Sequence, residues 1–423
     1  MQLAFDSFLP QTAWQITTPP EINADTVALD LETKDEKLTA IGPGFLRNKD
    51  GHIAGISAAW REGDTLRSIY LPFGHSCGPN LSRDSIKEWL RSLSRRVKRI
   101  VFANQFYDTG WLKADLGVEF LGVELYDVLI MAALEEEERP GSYGLDGTAE
   151  WYLGERKDER TLRDAASMYD VDAKAEMWKM PPRFVAGYAM VDAENTLKLF
   201  EHLYPALEKQ SLIPCLELER SVTPVLLAIS MQGVPVDLDK ASRLNDAWKA
   251  KEREMRKGLG GLDIWSADQI KDRLHHEGIT VPLTAKGNAS VNKEWMANID
   301  HPLVNLIEDC RAVNRLRSTY LEDMILRPGR PSIHPEFIQT TREEGGARTR
   351  RLSCRNPNLQ QVPVRNKAID ANLIRTLFVP PPGLLWAKAD YNSQEPRLQV
   401  HYALLKGLDG AREAAAVFAS GRK

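Results

Sequence analysis

Hydrophobic and polar residues alternate near the N-terminus in a pattern that predicts a β-strand. Between residues 26 and 32 the odd-numbered positions hold valine or leucine, whereas Asp30 and Glu32 stand at even-numbered positions. Successive side chains of a strand point to opposite faces of a sheet. The pattern therefore places both carboxylates on one face of a strand whose other face is hydrophobic.

The segments that follow predict a mixed α/β domain up to about residue 205. Further strands are expected at residues 53–60, 66–72 and 99–103, with a strand that runs into a helix at residues 123–130. The strand ending at residue 103 is followed by Asn104, a good helix N-cap. Residues 105–116 are therefore expected to form a helix with Asp108 in its first turn. Strands followed by interleaved helices are typical of α/β folds.

Helical patterns dominate after residue 205. Long helices are predicted at residues 212–231, 239–257 and 302–324. A cluster of glycine and proline between residues 329 and 335 then marks a boundary. Beyond it the pattern predicts a strand at residues 384–390 and a helix from about Pro396. The sequence thus predicts an α/β domain over residues 1–205, a helical region over 206–332 and a third region over 333–423.

Composition leaves several classes of function open. The chain has 423 residues, enough for two or three domains, and a formal net charge of −4. Nucleic acid would therefore have to bind at local basic patches. One such patch is the arginine cluster formed by Arg342, Arg348, Arg350, Arg351 and Arg355. The scattered cysteines, the lack of a membrane-length hydrophobic run and the lack of a signal peptide favour a cytoplasmic protein.

Three acidic segments in the first two hundred residues predict a metal site. They are Asp30 with Glu32, Asn104 to Asp108, and Tyr188 to Asp192. Hard divalent cations prefer carboxylate oxygens, and two such cations can activate water and offset charge on a phosphate. Tyr188 and Asp192 are four residues apart and share a helix face, which would place a phenol beside the attacking water. Together the segments predict cleavage of phosphodiester bonds.

Each acidic segment also has a structural interpretation. An Asp-x-Glu triplet arises by chance in a chain of this length, and the helix dipole alone would favour Asp108 in a first turn. Tyr188 and Asp192 would also suit a surface pair at helical spacing. The joint occurrence of the three segments, in order and each on a suitable element, favours the metal site.

The three segments resemble those of the proofreading 3′–5′ exonuclease domain of family A DNA polymerases, in the branch that carries a tyrosine. The resemblance covers about residues 20–205 and implies an RNase H-like fold. The implied ligands of two Mg²⁺ or Mn²⁺ ions are Asp30, Glu32, Asp108 and Asp192. Tyr188 would position the attacking water, and Asn104 would contact the end of the DNA substrate.

Later segments resemble the polymerase region of the same family. Residues 351–363 (RLSCRNPNLQQVP) closely match a palm motif, and stretches between residues 217 and 320 are similar to its opening and its helical thumb. The resemblance implies that Arg351, Asn358 and Gln360 contact the minor groove of a primer–template. Such side chains can reach acceptors there that all base pairs share. Arg350 stands where the family has a glycine.

Residues 390–397 (DYNSQEPR) resemble the first catalytic palm motif. The resemblance implies that Asp390 holds the metal ions that carry the incoming nucleotide. It also implies that Glu395 excludes a ribose 2′-hydroxyl and that Arg397 binds substrate. As an isolated pair, Asp390 would more simply end a core strand and Glu395 would cap a helix. The match over residues 351–363 favours the palm.

The family continues with a fingers domain and a His-Asp-Glu palm motif, which this sequence does not contain. A single palm aspartate would cripple two-metal nucleotidyl transfer. We therefore expect an RNase H-like exonuclease domain followed by a thumb and an incomplete palm. This would be the N-terminal portion of a split or truncated, phage-type polymerase, working in a bacterial or phage-infected cell with a second subunit that completes DNA synthesis. Two alternatives stay open, namely a stand-alone exonuclease whose palm only holds DNA, and a non-catalytic primer–template clamp.

Overall fold

The computed structural model describes residues 10–47, 49–139, 141, 143–340, 346–347, 349–364, 366 and 369–420. The chain divides into two compact units, Met1–Phe378 and Val379–Lys423. The three domains expected from the sequence stay predictions. One helix, Pro182–Lys209, runs through the boundary expected at residue 205.

A five-stranded sheet lies in the first unit. Its strands are β1 (Thr26–Lys34), β2 (His52–Glu62), β3 (Thr65–Pro72), β4 (Arg99–Phe102) and β5 (Glu124–Asp127). They lie in the order β3-β2-β1-β4-β5, so β1 is central. β1 pairs antiparallel with β2 and parallel with β4, while β2–β3 is antiparallel and β4–β5 is parallel. These strands confirm the mixed α/β character predicted from the alternation.

Helices cover the sheet on both sides. Those described up to residue 209 are α1 (Leu38–Ile41), α2 (Arg83–Arg96), α3 (Gln105–Trp111), α4 (Val128–Glu135), α5 (Leu145–Leu153), α6 (Arg160–Tyr169) and α7 (Pro182–Lys209). α3 continues as a π-helical segment, Leu112–Leu116, which confirms the helix predicted over residues 105–116. α7 packs across β1, β2 and β3.

The two faces of β1 enter different hydrophobic clusters. Val27, Leu29 and Leu31 are buried on one face. Ala28 is buried on the opposite face, in a cluster that includes Leu197 of α7. Because side chains alternate along a strand, the acids of β1 share the face of Ala28. α7 therefore brings its own polar residues to the acids of β1.

The turn between β4 and α3 is held by a carboxylate from the neighbouring strand. Asn104 stands at the N-cap position with a left-handed backbone (φ 87°), and its side chain makes no capping hydrogen bond. Instead Asp127, at the end of β5, accepts hydrogen bonds from the backbone N–H groups of Asn104 (3.2 Å) and Gln105 (2.8 Å). It also accepts one from Leu129 (2.9 Å) and so caps α4. The prediction that the Asn104 side chain caps α3 is therefore wrong, because the Asp127 carboxylate accepts the backbone hydrogen bonds at this end of the helix.

The rest of the first unit is mainly helical. Its helices are α8 (Ile213–Gln232), α9 (Leu238–Lys257), α10 (Ala267–His276), α11 (Lys293–Met296), α12 (Pro302–Arg315) and α13 (Asn372–Arg375). α12 continues as a π-helical segment, Leu316–Leu326, so the three predicted long helices are confirmed. Two small antiparallel pairs complete the unit, namely β6 (Val234–Pro235) with β7 (Ser332–Ile333), and β8 (Glu336–Ile338) with β9 (Ser353–Arg355).

The second unit contains two helices, α14 (Gln394–Leu405) and α15 (Ala411–Ala419). The strand predicted at residues 384–390 is wrong, since these residues have no regular secondary structure and Leu385 is 92% exposed. A strand needs a hydrogen-bonding neighbour, and none occurs among residues 379–420. No helix in the described ranges is long and apolar enough to cross a membrane.

Candidate active site

One cleft of about 330 Å³ in the first unit collects residues from three separate acidic segments. The residues of these three segments that were singled out by the sequence and that line it are Asp30, Glu32, Asn104, Asp108, Tyr188 and Asp192. They come from β1, from the turn before α3 with its first turn, and from α7. The fold thus brings together side chains that are more than 150 residues apart in the chain.

Three of the carboxylates are close enough to share a cation. Asp30, Glu32 and Asp192 each offer an oxygen atom, and these atoms lie within 4.8 Å of one another. Glu32 and Asp192 are buried, with 7% and 6% of their surface exposed. Asp108 is 2% exposed and lines the same cleft from α3. The four acids therefore surround a small volume that is mostly shielded from water.

Burial and mutual repulsion raise the pKa values of this cluster. Burial raises the pKa of Asp30 well above its ordinary range, and the charges of Asp192 and Glu32 raise it further. The pKa of Glu32 rises to about 8, first through burial and then through the charge of Asp192. Burial also raises the pKa of Asp192, but the nearby Lys157 limits the rise to about 6. The surroundings of the carboxylates thus contain too little positive charge for all of them to be ionised at the same time.

The chemistry of this donor set fits divalent cations. Oxygen-rich carboxylate sites suit Mg²⁺ and Mn²⁺. Atom Oε1 of Glu32 is fully buried and has no hydrogen-bond partner among the described residues. A buried acceptor without a partner costs free energy unless a cation satisfies it. Asp30, Glu32 and Asp192 could therefore hold a divalent cation, and the predicted role of Asp108 as a further ligand stays a prediction.

A buried lysine that sequence reasoning missed also reaches the carboxylates. Lys157 is 4% exposed at its side chain and forms ion pairs with Asp192 and, at 3.3 Å, with Asp146. Its ammonium lies 3.7 Å from the centre of the Tyr188 ring. Burial lowers the pKa of Lys157, but the nearby carboxylates, with Asp192 first among them, together raise it above its ordinary value. Because Lys157 lies in a run of charged residues, pattern alone would assign it to a solvated surface.

Tyr188 is held with its hydroxyl group protonated. Burial raises its pKa, and the charges of Asp192 and Glu32 add to this effect. The ring packs under the Lys157 ammonium, a cation–π contact that fixes its plane. A protonated phenol is able both to donate a hydrogen bond to an oxygen atom and to accept one from water.

The cleft is completed from outside the sheet domain. Glu336 of β8 and Arg355 of β9 also line it. They are directly opposite each other across the two strands, and the Arg355 guanidinium forms two hydrogen bonds with the Glu336 carboxylate, at 2.9 and 2.8 Å. Of the arginine cluster named above, Arg342 and Arg348 lie outside the described residues. Residues 351–363, the palm-like segment, thus contribute Arg355 to the lining of the acidic cleft.

The other residues of the palm-like segment make local contacts. Arg351 is exposed, whereas Arg350 pairs with Glu219 at 3.1 Å. Arg350 has a φ of 62°, so it adopts the left-handed conformation that a glycine would take at this position. The Asn358 side chain accepts a hydrogen bond from the backbone of Gln360 (3.0 Å), whose amide donates to Leu352 O (3.1 Å). Their predicted contacts with DNA stay predictions.

The predicted palm residues of the second unit lie near the start of α14. Asp390 is exposed and precedes the helix, so it does not end a core strand. Glu395 is in the first turn of α14. The Arg397 guanidinium donates a hydrogen bond to Asn392 O (2.9 Å) and lies 4.9 Å from the centre of the Phe418 ring. The roles of these three residues in nucleotide binding stay predictions.

Comparisons with known proteins bear on the polymerase part of the expectations. A "DNA-directed DNA polymerase" of Pseudomonas phage M6 is 33% identical over 405 residues, covering 92% of this chain and 60% of that protein. "DNA polymerase I" of Pseudomonas aeruginosa is 27% identical over 431 residues, covering 96% of this chain and 44% of that protein. The chain spans between 45% and 60% of the length of the phage relatives that it matches.

A solved structure shares the fold. The POL domain of Pol1 from M. smegmatis, in complex with DNA primer-template and dNTP, has a TM-score of 0.64 and 19% identity, covering 95% of this chain and 64% of that chain.

The second polymerase subunit expected from the sequence is not supported, since the phage and bacterial relatives are described as DNA polymerases. Residues 238–414 match the family model of DNA polymerase family A, so this part of the chain is similar in sequence to a family A DNA polymerase domain.

Proposed function

We propose that the acidic cleft is the active site of a 3′–5′ DNA exonuclease. The observation that carries the proposal is the convergence of three separate segments, predicted from the sequence, on one cleft. Chance acids would have no reason to meet there. The proposal is also supported by the buried Glu32 oxygen atom without a hydrogen-bond partner among the described residues and by the raised pKa of Glu32, since bound cations would satisfy both.

The residues of the cleft have different roles in the proposed hydrolysis. Two Mg²⁺ or Mn²⁺ ions, when bound, would supply a nucleophile from water and offset charge on the phosphate. Asp30, Glu32, Asp108 and Asp192 hold these ions. Tyr188 keeps its proton and orients the attacking water by a hydrogen bond. Asn104, which also lines the cleft, contacts the terminal nucleotide.

Shortening of a labelled strand tests this proposal. A single-stranded oligonucleotide with a 5′ label is incubated with the chain and Mg²⁺, and a ladder of shortened products is expected. Asp30→Asn should lower the rate at least about a hundredfold, because metal ions supply several kcal/mol of transition-state stabilisation. A matched control is Asp115→Asn, which removes a mostly buried carboxylate outside the cleft that pairs with Arg83 at 2.7 Å. No shortening, or equal rates for wild type and Asp30→Asn, would refute the proposal.

A second candidate function is template-directed DNA synthesis. The match of residues 238–414 to DNA polymerase family A favours it, and the relatives are described as DNA polymerases. We propose that Asp390 holds metal ions and that Glu395 and Arg397 bind nucleotide. A primer–template with Mg²⁺ and four deoxynucleotides tests this function. Lengthening that Asp390→Asn abolishes would support it, whereas a primer that only shortens would show that this chain does not synthesise DNA by itself.

A further inference from the structure

We infer that Arg355 binds a phosphate group of the DNA strand whose 3′ end enters the acidic cleft. The inference rests on the proposed exonuclease function and adds the residue that holds the substrate strand. Arg355 lies in the palm-like segment, yet its side chain lines the cleft with Asp30 and Asp192. All of these residues belong to the first unit.

The negative charge of the cleft means that a DNA strand needs a cationic residue there in order to bind. Its described lining contains five carboxylates, from Asp30, Glu32, Asp108, Asp192 and Glu336, and a single cationic side chain. Metal ions offset the charge where the reaction takes place. A DNA strand nevertheless carries further phosphates that must approach the same acidic surface. Arg355 is the lining residue that attracts them, because a guanidinium forms strong, directional bonds with phosphate oxygens.

The position of Arg355 is fixed by its surroundings. β8 and β9 place Glu336 directly opposite Arg355, and the two bonds between them set the plane of the guanidinium. Asn356 donates a hydrogen bond to the same carboxylate (3.1 Å). Asn356 also packs against Gly42, where an added Cβ would lie 2.8 Å from the Asn356 Cβ. This close approach packs the segment against the C-terminal end of α1.

The two partners of the ion pair differ in exposure. The Glu336 side chain is 5% exposed and that of Arg355 is 22% exposed. The carboxylate is thus the buried support, and the guanidinium is the group that a ligand can reach. An Arg–Glu pair with a purely structural role is the competing interpretation. Arg61 and Glu201 form such a pair at 2.8 Å elsewhere, and it does not line the cleft.

The salt dependence of DNA binding tests the inference. Binding of a fluorescent single strand to the full chain is measured by anisotropy over a range of salt concentrations. Loss of one phosphate contact should reduce the slope of log K against log salt by about 0.7 for single-stranded DNA. Arg355→Gln should show this reduction together with about tenfold weaker binding, whereas the matched Arg61→Gln should keep the wild-type slope. An unchanged slope in Arg355→Gln would overturn the inference.

A second variant distinguishes the loss of a phosphate contact from misfolding. Arg355→Gln leaves a buried Glu336 without its partner, so the double variant Glu336→Gln/Arg355→Gln, which removes both charges, is measured as well. It should unfold near the wild-type temperature and still show the reduced slope. A double variant that folds and has the wild-type slope would mean that the pair is structural only.

Strands with one neutral methylphosphonate group locate the contact. At one position near the 3′ end, the neutral group should weaken binding to wild type about tenfold and leave binding to Arg355→Gln unchanged. Equal weakening of both proteins at every position would refute the contact. The binding readout is independent of catalysis. If wild type fails to shorten DNA, the exonuclease proposal fails, while the salt slope still decides the role of Arg355.

Discussion

Replacement of Lys157 by methionine tests whether this buried cation holds the acidic cleft together before metal ions bind. Methionine keeps much of the length and the apolar stem of lysine but removes the charge. The Lys157 ammonium pairs with Asp192 and with Asp146, and it covers the ring of Tyr188. In the variant, the three carboxylates that lie within 4.8 Å of one another lose their buried counter-charge.

The expected loss of stability is large because both partners are buried. The side chains of Lys157 and Asp192 are 4% and 9% exposed. Removing one partner of a buried ion pair costs about 3–5 kcal/mol, since it leaves an uncompensated charge. A matched surface variant, Lys198→Met, breaks the pair with Glu155, whose side chains are 25% and 42% exposed. It should cost no more than about 1 kcal/mol.

Denaturant unfolding in the presence of a chelator measures the difference. At pH 8, Lys157→Met should lose about 3 kcal/mol more of its unfolding free energy than Lys198→Met. The difference should shrink as the pH falls from 8 towards 6. Without Lys157 the pKa of Asp192 rises above its wild-type value of about 6, so the carboxylate of the variant becomes neutral at a higher pH. Millimolar Mg²⁺ should also reduce it, since the metal replaces the missing charge. Equal stabilities of the two variants at pH 8, or a difference that Mg²⁺ leaves unchanged, would refute the reasoning.

Two further predictions concern single groups of the cleft. Tyr188→Phe keeps the ring under Lys157 but removes the hydroxyl group, so kcat for strand shortening should fall about a hundredfold while KM changes little; a rise in KM alone would argue against water positioning. The pKa of Glu32 is raised from its ordinary value of 4.5 to about 8, so the folded state binds this proton more tightly than the unfolded state. The metal-free chain should therefore lose stability as pH rises from about 4.5 to about 8, and Glu32→Gln should lose less over the same window; parallel curves from denaturant titrations would contradict this.

Local patterns account for the parts of the site that sequence could predict. Alternation along β1 is enough to place Asp30 and Glu32 on one face, and helical spacing is enough to pair Tyr188 with Asp192. Contacts between distant segments have no such signal. The capping of α3 by Asp127 depends on the pairing of β4 with β5, which no residue near the helix reveals. The predicted strand at residues 384–390 failed for the converse reason, since a hydrophobic run specifies a strand only where a partner strand pairs with it.

In the proposed site, the carboxylates that hold metal and the arginine that binds a strand phosphate come from different parts of the chain. Every carboxylate of the cleft that we propose to hold metal lies before residue 205, whereas Arg355 lies within the segment that matches DNA polymerase family A. The neighbouring Asn356 and Asn358 line a second cavity of about 570 Å³ together with Ile41, the last residue of α1. Earlier residues of the same helix line the acidic cleft. One short segment of the palm-like region thus borders both spaces. Changes to the cleft carboxylates should therefore act mainly on kcat. Changes to this segment should act mainly on KM, because the contact that we propose for Arg355 is with the strand and not with the reacting phosphate.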